Sequence, residues 1–105
     1  MSYLFYWLTN FNADISNWKT SDVTPTANMF SGASAFNQPL SFDTSSVTDM
    51  SGMFAGALVF DQPLDFDTSS VISMRAMFDG ASAFNQPLSV GNVSNASTGS
   101  LPIWK

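Results

Sequence analysis

The stretch FNQPLSFDTSSV at residues 36–47 returns 24 residues later as FDQPLDFDTSSV at residues 60–71. A third copy begins as FNQPLSV at residues 84–90, and a looser copy starts at Phe11. A fixed period of this size is typical of an array in which each repeat buries its apolar edge against the next. The sequence therefore predicts one solenoid domain over residues 1–105, with a half coil at 1–10, coils that start at residues 11, 36 and 60, and a degenerate last coil at 84–105.

Aligned in this way, the copies place the large residues in columns that predict the core. All ten Phe residues fall in three columns. These columns are Phe5, Phe30, Phe54 and Phe78; then Phe11, Phe36, Phe60 and Phe84; and then Trp18, Phe42, Phe66 and Val90. A column that stays large and apolar while its neighbours vary is what a stacked core requires.

A short helix and a short parallel strand are predicted in each coil, as in leucine-rich repeats. Val47, Met50, Met53 and Phe54 lie close to one helical face. The helices are predicted over 25–31, 49–55 and 73–79, each followed by a glycine suited to a left-handed cap (Gly32, Gly56 and Gly80). Leu40 and Phe42 alternate with polar residues, which predicts the strand. The alternative is a β-helix with three extended sides.

Composition narrows the function classes. The net charge is −5, only 10% of the residues are charged, and no basic patch is present. This argues against binding to nucleic acid or to anionic membranes. The N-terminal apolar run is too short for a membrane span. His, Cys and Glu are absent, so the commonest general base, thiolate nucleophile and zinc ligands are missing. The sequence favours a protein that is not an enzyme and has no cofactor.

Residues 36–57, FNQPLSFDTSSVTDMSGMFAGA, closely resemble the repeat of about 26 residues found in bacterial surface proteins and mycoplasma-type lipoproteins. That repeat is related to BspA-like leucine-rich repeats, and the resemblance covers roughly residues 11–90. The coils here are shorter, and Phe42 and Phe66 stand where the family commonly has an Asn-Trp pair. The resemblance implies a leucine-rich-repeat-like solenoid on an extracellular or cell-surface protein, mostly without assigned activity.

The predicted function is therefore a surface-displayed repeat module for adhesion or for binding an unknown protein or glycan. The concave strand face would bind the partner, through Pro39, Ser41, Asp43, Pro63, Asp65, Asp67, Pro87 and Ser89. A purely structural spacer in a longer repeat array is the alternative. Two Asn residues, Asn92 and Asn95, match the glycosylation sequon, which is also common by chance in tails rich in Ser and Asn.

Two chemical alternatives concern the repeated Asp-Thr-Ser motif at Asp43 and Asp67. It resembles an aspartic-protease motif, in which two carboxylates share a proton. The repeat explains both copies without catalysis, as turns with a capping Asp. Stacked Asp residues could instead bind calcium, although six or more oxygen ligands are needed. Lys19 stands in the same column and can offset one carboxylate.

The N-terminal run YLFYWL at residues 3–8 is more apolar than the equivalent positions of the later copies. Trp7 and Leu8 replace the small residues Gly32 and Ala33. The run predicts either an aromatic cap over the first coil or an end-to-end contact with a second copy of the chain, and association is the favoured reading.

Overall fold

The structure is a computed structural model that describes residues 1–64, 66–67 and 69–86, and within these ranges it contains no helix and no strand. Its regular pairing is limited there to two isolated parallel bridges, Pro25 with Asp49 and Asp49 with Ser73. The chain measures 34 × 28 × 23 Å, with a radius of gyration of 12.3 Å. A compact chain of this length is expected to have a radius of about 13 Å. The predicted leucine-rich-repeat-like solenoid of strand-plus-helix coils is therefore wrong, and the alternative β-helix is wrong as well.

Consecutive tight turns replace the predicted helix at residues 25–31. The N–H groups of Met29 and Ala33 donate to the carbonyls three residues earlier, at 3.1 and 3.0 Å. Asn28 and Gly32 have φ of 57° and 74°, so each of these turns has a left-handed residue at its third position. A right-handed helix cannot continue through such a residue. The equivalent residues Gly52, Gly56, Ala76 and Gly80 also have positive φ, so the predicted helices at 49–55 and 73–79 fail for the same reason.

The remaining N–H groups of each turn segment bond to the next repeat. Asn28, Phe30 and Gly32 donate to the carbonyls of Ser51, Met53 and Ala55 at 2.9, 2.9 and 2.7 Å. Gly52, Phe54 and Gly56 repeat the pattern toward Arg75, Met77 and Asp79. Every second peptide unit thus closes a local turn, while the alternate ones join neighbouring repeats.

Side chains join the repeats just before the stretch at residues 39–43 where the strand was predicted. The Oδ1 atom of Asn37 accepts the Asp61 N–H at 3.0 Å and the Gln62 side-chain amide at 3.1 Å. Asp61 plays the same part for Asn85 and Gln86. Proline follows Gln in the three copies that start at residues 36, 60 and 84, and it has no N–H to donate. At the other end of the predicted strand, the Asp43 N–H donates to the Thr20 hydroxyl at 2.8 Å and not to a backbone carbonyl.

The predicted aromatic columns are confirmed as the core. Phe30 and Phe54 are fully buried, and their ring centroids lie 5.5 Å apart with an angle of 2° between the planes. Phe54 also stacks on Phe60, six residues later along the chain, at 4.4 Å. Phe11 and Phe66 are only partly buried. Trp18 is 41% exposed although Phe42 of the same column is buried, and Val90 lies outside the described residues.

Candidate functional site

An open groove of about 500 Å³ runs across three successive repeats. Its floor is the glycine column, Gly32, Gly56 and Gly80, and we call it the glycine groove. Successive glycines lie close together, because a Cβ on Gly56 would be 3.6 Å from the Gly32 nitrogen. The positive φ of these residues favours glycine, so the conformation that ends each turn also leaves the floor without side chains.

Trp7 closes one end of the groove. It occupies the position of the glycine column in the first repeat and keeps the left-handed conformation, with φ of 58°. Its indole lies over Gly32, since a Cβ on Gly32 would be only 2.7 Å from the Trp7 Cδ2 atom. The side chain nevertheless remains 61% exposed. A large aromatic surface is therefore exposed to solvent at the end of a groove whose floor has no side chains.

The walls of the glycine groove combine polar and apolar groups. Ser34 and Leu58 come from one column, and Leu58 is half exposed. Ser31, Ala55 and Asp79 come from the column just before the glycines. Hydroxyl groups, a carboxylate and an indole thus surround one concave surface, which is a typical composition for a small-molecule binding site.

This groove was not predicted from the sequence. The three glycines were identified at their spacing of 24 residues, but they were interpreted as helix caps. Their left-handed conformation is confirmed, whereas the helices are not. One feature of the sequence could have indicated the groove. Trp7 stands where the later repeats have glycine, so a bulky residue lies at one end of a row of residues without side chains.

The face predicted from the sequence is only partly described. Pro39, Ser41, Asp43, Pro63 and Asp67 are exposed, but no strand passes through them. Asp65, Pro87 and Ser89 lie outside the described residues, as do the two sequons at Asn92 and Asn95. The binding role of this face stays a prediction.

Asp43 and Asp67 each cap their own turn. The Asp43 Oδ1 atom accepts the Ser45 hydroxyl at 2.6 Å and the Ser45 N–H at 3.0 Å. These bonds to the ionised form lower the pKa of the Asp43 carboxyl below its ordinary value of 3.8. Bonds from Ser69 likewise lower the pKa of Asp67, against a smaller opposing effect of the Asp43 charge. These bonds confirm the capping interpretation of the Asp-Thr-Ser motif.

Replacing Ser45 with Ala is expected to move the pKa of Asp43 upward, toward its ordinary value. A carboxylate whose folded-state pKa is depressed stabilises the fold fully above its unfolded-state value. That contribution is lost as the pH falls through the lowered folded-state pKa. NMR titration of the Asp carboxyl carbons measures the shift. Ser46→Ala is the matched control, and an Asp43 pKa unchanged by Ser45→Ala would contradict the assignment.

No group of three or more His, Cys, Asp or Glu residues that could hold a metal ion occurs in the described part of the chain. Calcium binding stays a prediction without a candidate site in these ranges.

The first repeat exposes the apolar run that the sequence singled out. Tyr3, Leu4, Tyr6, Trp7 and Leu8 are each between 44% and 61% exposed. Its N–H groups bond to the second repeat, for example Phe5 to the Met29 carbonyl at 2.9 Å. End-to-end association through this segment stays a prediction, and light scattering at micromolar and higher concentrations checks it.

The sequence matches a family described as Mycoplasma protein of unknown function, DUF285, over residues 1–101. The chain belongs to this DUF285 family. The mycoplasma part of the resemblance is thereby confirmed, whereas the BspA-like leucine-rich-repeat relationship is not. Searches of the curated proteins and of the solved structures find no match to this DUF285 chain. Within the ranges that the structure describes, no helix is long and apolar enough to cross a membrane.

Proposed function

We propose that this DUF285 chain is a non-enzymatic interaction module, exposed on the cell surface or outside the cell, that binds an extracellular partner in the glycine groove. The observation that carries the proposal is the groove itself. It is about 500 Å³ in volume, crosses three repeats and ends at an exposed indole. Binding sites for small molecules, or for short segments of larger ligands, are typically concave and partly apolar and contain a few polar groups.

The chemistry of the side chains supports a binding role over catalysis. The chain has no His, Cys or Glu. Its carboxylates at Asp14, Asp43 and Asp67 accept hydrogen bonds from Ser residues two positions later, and each has a lowered pKa. General acids and bases usually need a pKa close to the working pH. The pKa values of these three carboxyl groups are instead shifted further below neutral pH.

Beads coated with the chain are expected to adhere to cultured animal cells, and Leu58→Asp is expected to reduce adhesion several-fold. The change puts a charge on the wall of the glycine groove without touching the core, since Leu58 is 50% exposed. Ile72→Asp is the matched control, because Ile72 is 58% exposed and does not line the groove. Adhesion is counted by microscopy under flow, with albumin-coated beads as the baseline.

A structural spacer is the competing function, and the same experiment tests it. The bonds between successive repeats would serve a spacer equally well. Adhesion no greater than the albumin baseline would favour the spacer. Equal loss of adhesion for Leu58→Asp and Ile72→Asp would show that the groove is not the binding surface.

A further inference from the structure

We infer that the glycine groove binds a neutral oligosaccharide, with Trp7 as the surface on which a sugar ring stacks. The inference rests on the proposed binding function and specifies its ligand. Trp7 closes the groove at the Gly32 end, which suits a linear ligand whose terminal unit meets the indole.

The groove offers the groups that sugars need. The face of a pyranose ring that carries C–H groups packs against aromatic rings, and the Trp7 indole is 61% exposed. Sugar hydroxyls both donate and accept hydrogen bonds. The Asp79 carboxylate accepts them, while the hydroxyls of Ser31 and Ser34 do both. The one bond shown for the Ser34 hydroxyl, to the Thr9 carbonyl, is long at 3.5 Å, so it can be exchanged for a bond to a ligand.

An extended peptide is a poorer fit, because two of the backbone N–H groups on the floor already have acceptors. Peptides that bind along a groove commonly pair with unused N–H and C=O groups. The Gly32 N–H already donates to the Ala55 carbonyl, and the Gly56 N–H to the Asp79 carbonyl, both at 2.7 Å. Recognition must therefore come from the side chains at the walls and at the closed end.

Charge selects a neutral ligand over an acidic one. Asp79 lies in the wall, and the described residues that line the groove include no Lys or Arg. The whole chain carries a net charge of −5. Sulfated or uronic-acid chains would be repelled both locally and at long range.

To test the inference, the protein is titrated with cellopentaose and with maltopentaose, and binding is measured by isothermal titration calorimetry and by tryptophan fluorescence. At least one of these neutral chains is expected to bind. Trp7→Ala should then weaken binding by about 10-fold or more, as loss of one aromatic stacking contact does. Asp79→Asn should weaken it several-fold. Trp18→Ala and Asp67→Asn are the matched controls, because both residues are exposed and lie outside the groove.

Each other outcome overturns the inference in a recognisable way. Stronger binding of a polygalacturonate pentamer would refute the charge argument. Binding of a neutral Ser-rich decapeptide in place of the sugars would assign the groove to peptides. Absence of sugar binding at tens of millimolar, with cell adhesion intact, would refute the oligosaccharide and leave the binding function standing. Absence of both sugar binding and cell adhesion would refute the proposed binding function itself.

Discussion

Replacing Phe54 with Ala is expected to lower the free energy of unfolding by about 3–5 kcal/mol. Phe54 has no exposed surface, and it stacks on Phe60, six residues later, and on Phe30 and Phe78, one repeat before and after it. Its removal leaves a cavity bounded by rings that are fixed from both sides, so the surroundings cannot collapse to fill it. Urea unfolding followed by fluorescence measures the change.

The same substitution at Phe66 is the control, because that side chain is only partly buried at the edge of the core. We expect a distinctly smaller loss there. Equal effects at the two positions would mean that the stack of rings contributes no more than ordinary apolar burial.

Replacing Asn37 with Leu is expected to cost about 1–3 kcal/mol for each donor left without an acceptor. The Asn37 Oδ1 atom receives both the Asp61 N–H and the Gln62 side-chain amide, in a partly buried position. Leu has a similar volume but accepts neither bond. The Asp61 N–H therefore loses its acceptor, whereas the Gln62 amide keeps its bond to the Asn37 backbone carbonyl at 3.2 Å. Thermal unfolding by calorimetry, together with the urea midpoint, measures the loss.

Asn37→Asp is the matched control, because Asp61 already performs this role in the next repeat with the same two kinds of donor. It should keep most of the stability at neutral pH. If Asn37→Leu is as stable as Asn37→Asp, the side-chain ladder contributes nothing and the repeats are held by the turn segments alone.

The core was predictable from the sequence because burial depends on volume and polarity, which the columns display directly. Phe30, Phe54 and Phe78 recur at a fixed spacing, and nothing in the local backbone alters which of them meet. The burial of Trp18 was predicted wrongly, because an alignment column gives the register of a residue but not how much of its surface neighbouring residues bury.

The local backbone was not predictable to the same degree. The helical spacing of Met50, Met53 and Phe54 is real, but turns with a left-handed residue at every fourth position produce a similar spacing. One of the two left-handed columns contains Tyr3, Asn28, Gly52 and Ala76, four different residues, so it gives no recognisable signal. The predicted strand is absent at residues 39–43, where the Asp43 N–H donates to the Thr20 hydroxyl of the earlier repeat and not to a backbone carbonyl.

The glycine groove was missed for a further reason. A binding surface is usually sought among residues that have functional groups, whereas this one is created by residues that have none. The one sequence feature that indicates the position of the groove is Trp7, which stands in a column otherwise occupied by glycine.

The alternation of local and inter-repeat bonds has an electrical consequence. In each turn segment, the peptide units that join repeats point the same way, with the N–H toward the later repeat and the carbonyl toward the earlier one. Two backbone bonds, from Thr48 and Ile72, run in the opposite direction. The N–H groups of Asn37, Asp43, Asp61 and Asn85 also point toward the earlier repeat, where they donate to side chains, so these peptide units subtract from the sum. Parallel peptide dipoles add, as they do in a helix. The assembly of turns therefore carries a net dipole, although the described residues contain no helix. The first repeat forms its negative end, where the ammonium group of Met1 donates to the Pro25 carbonyl at 3.1 Å.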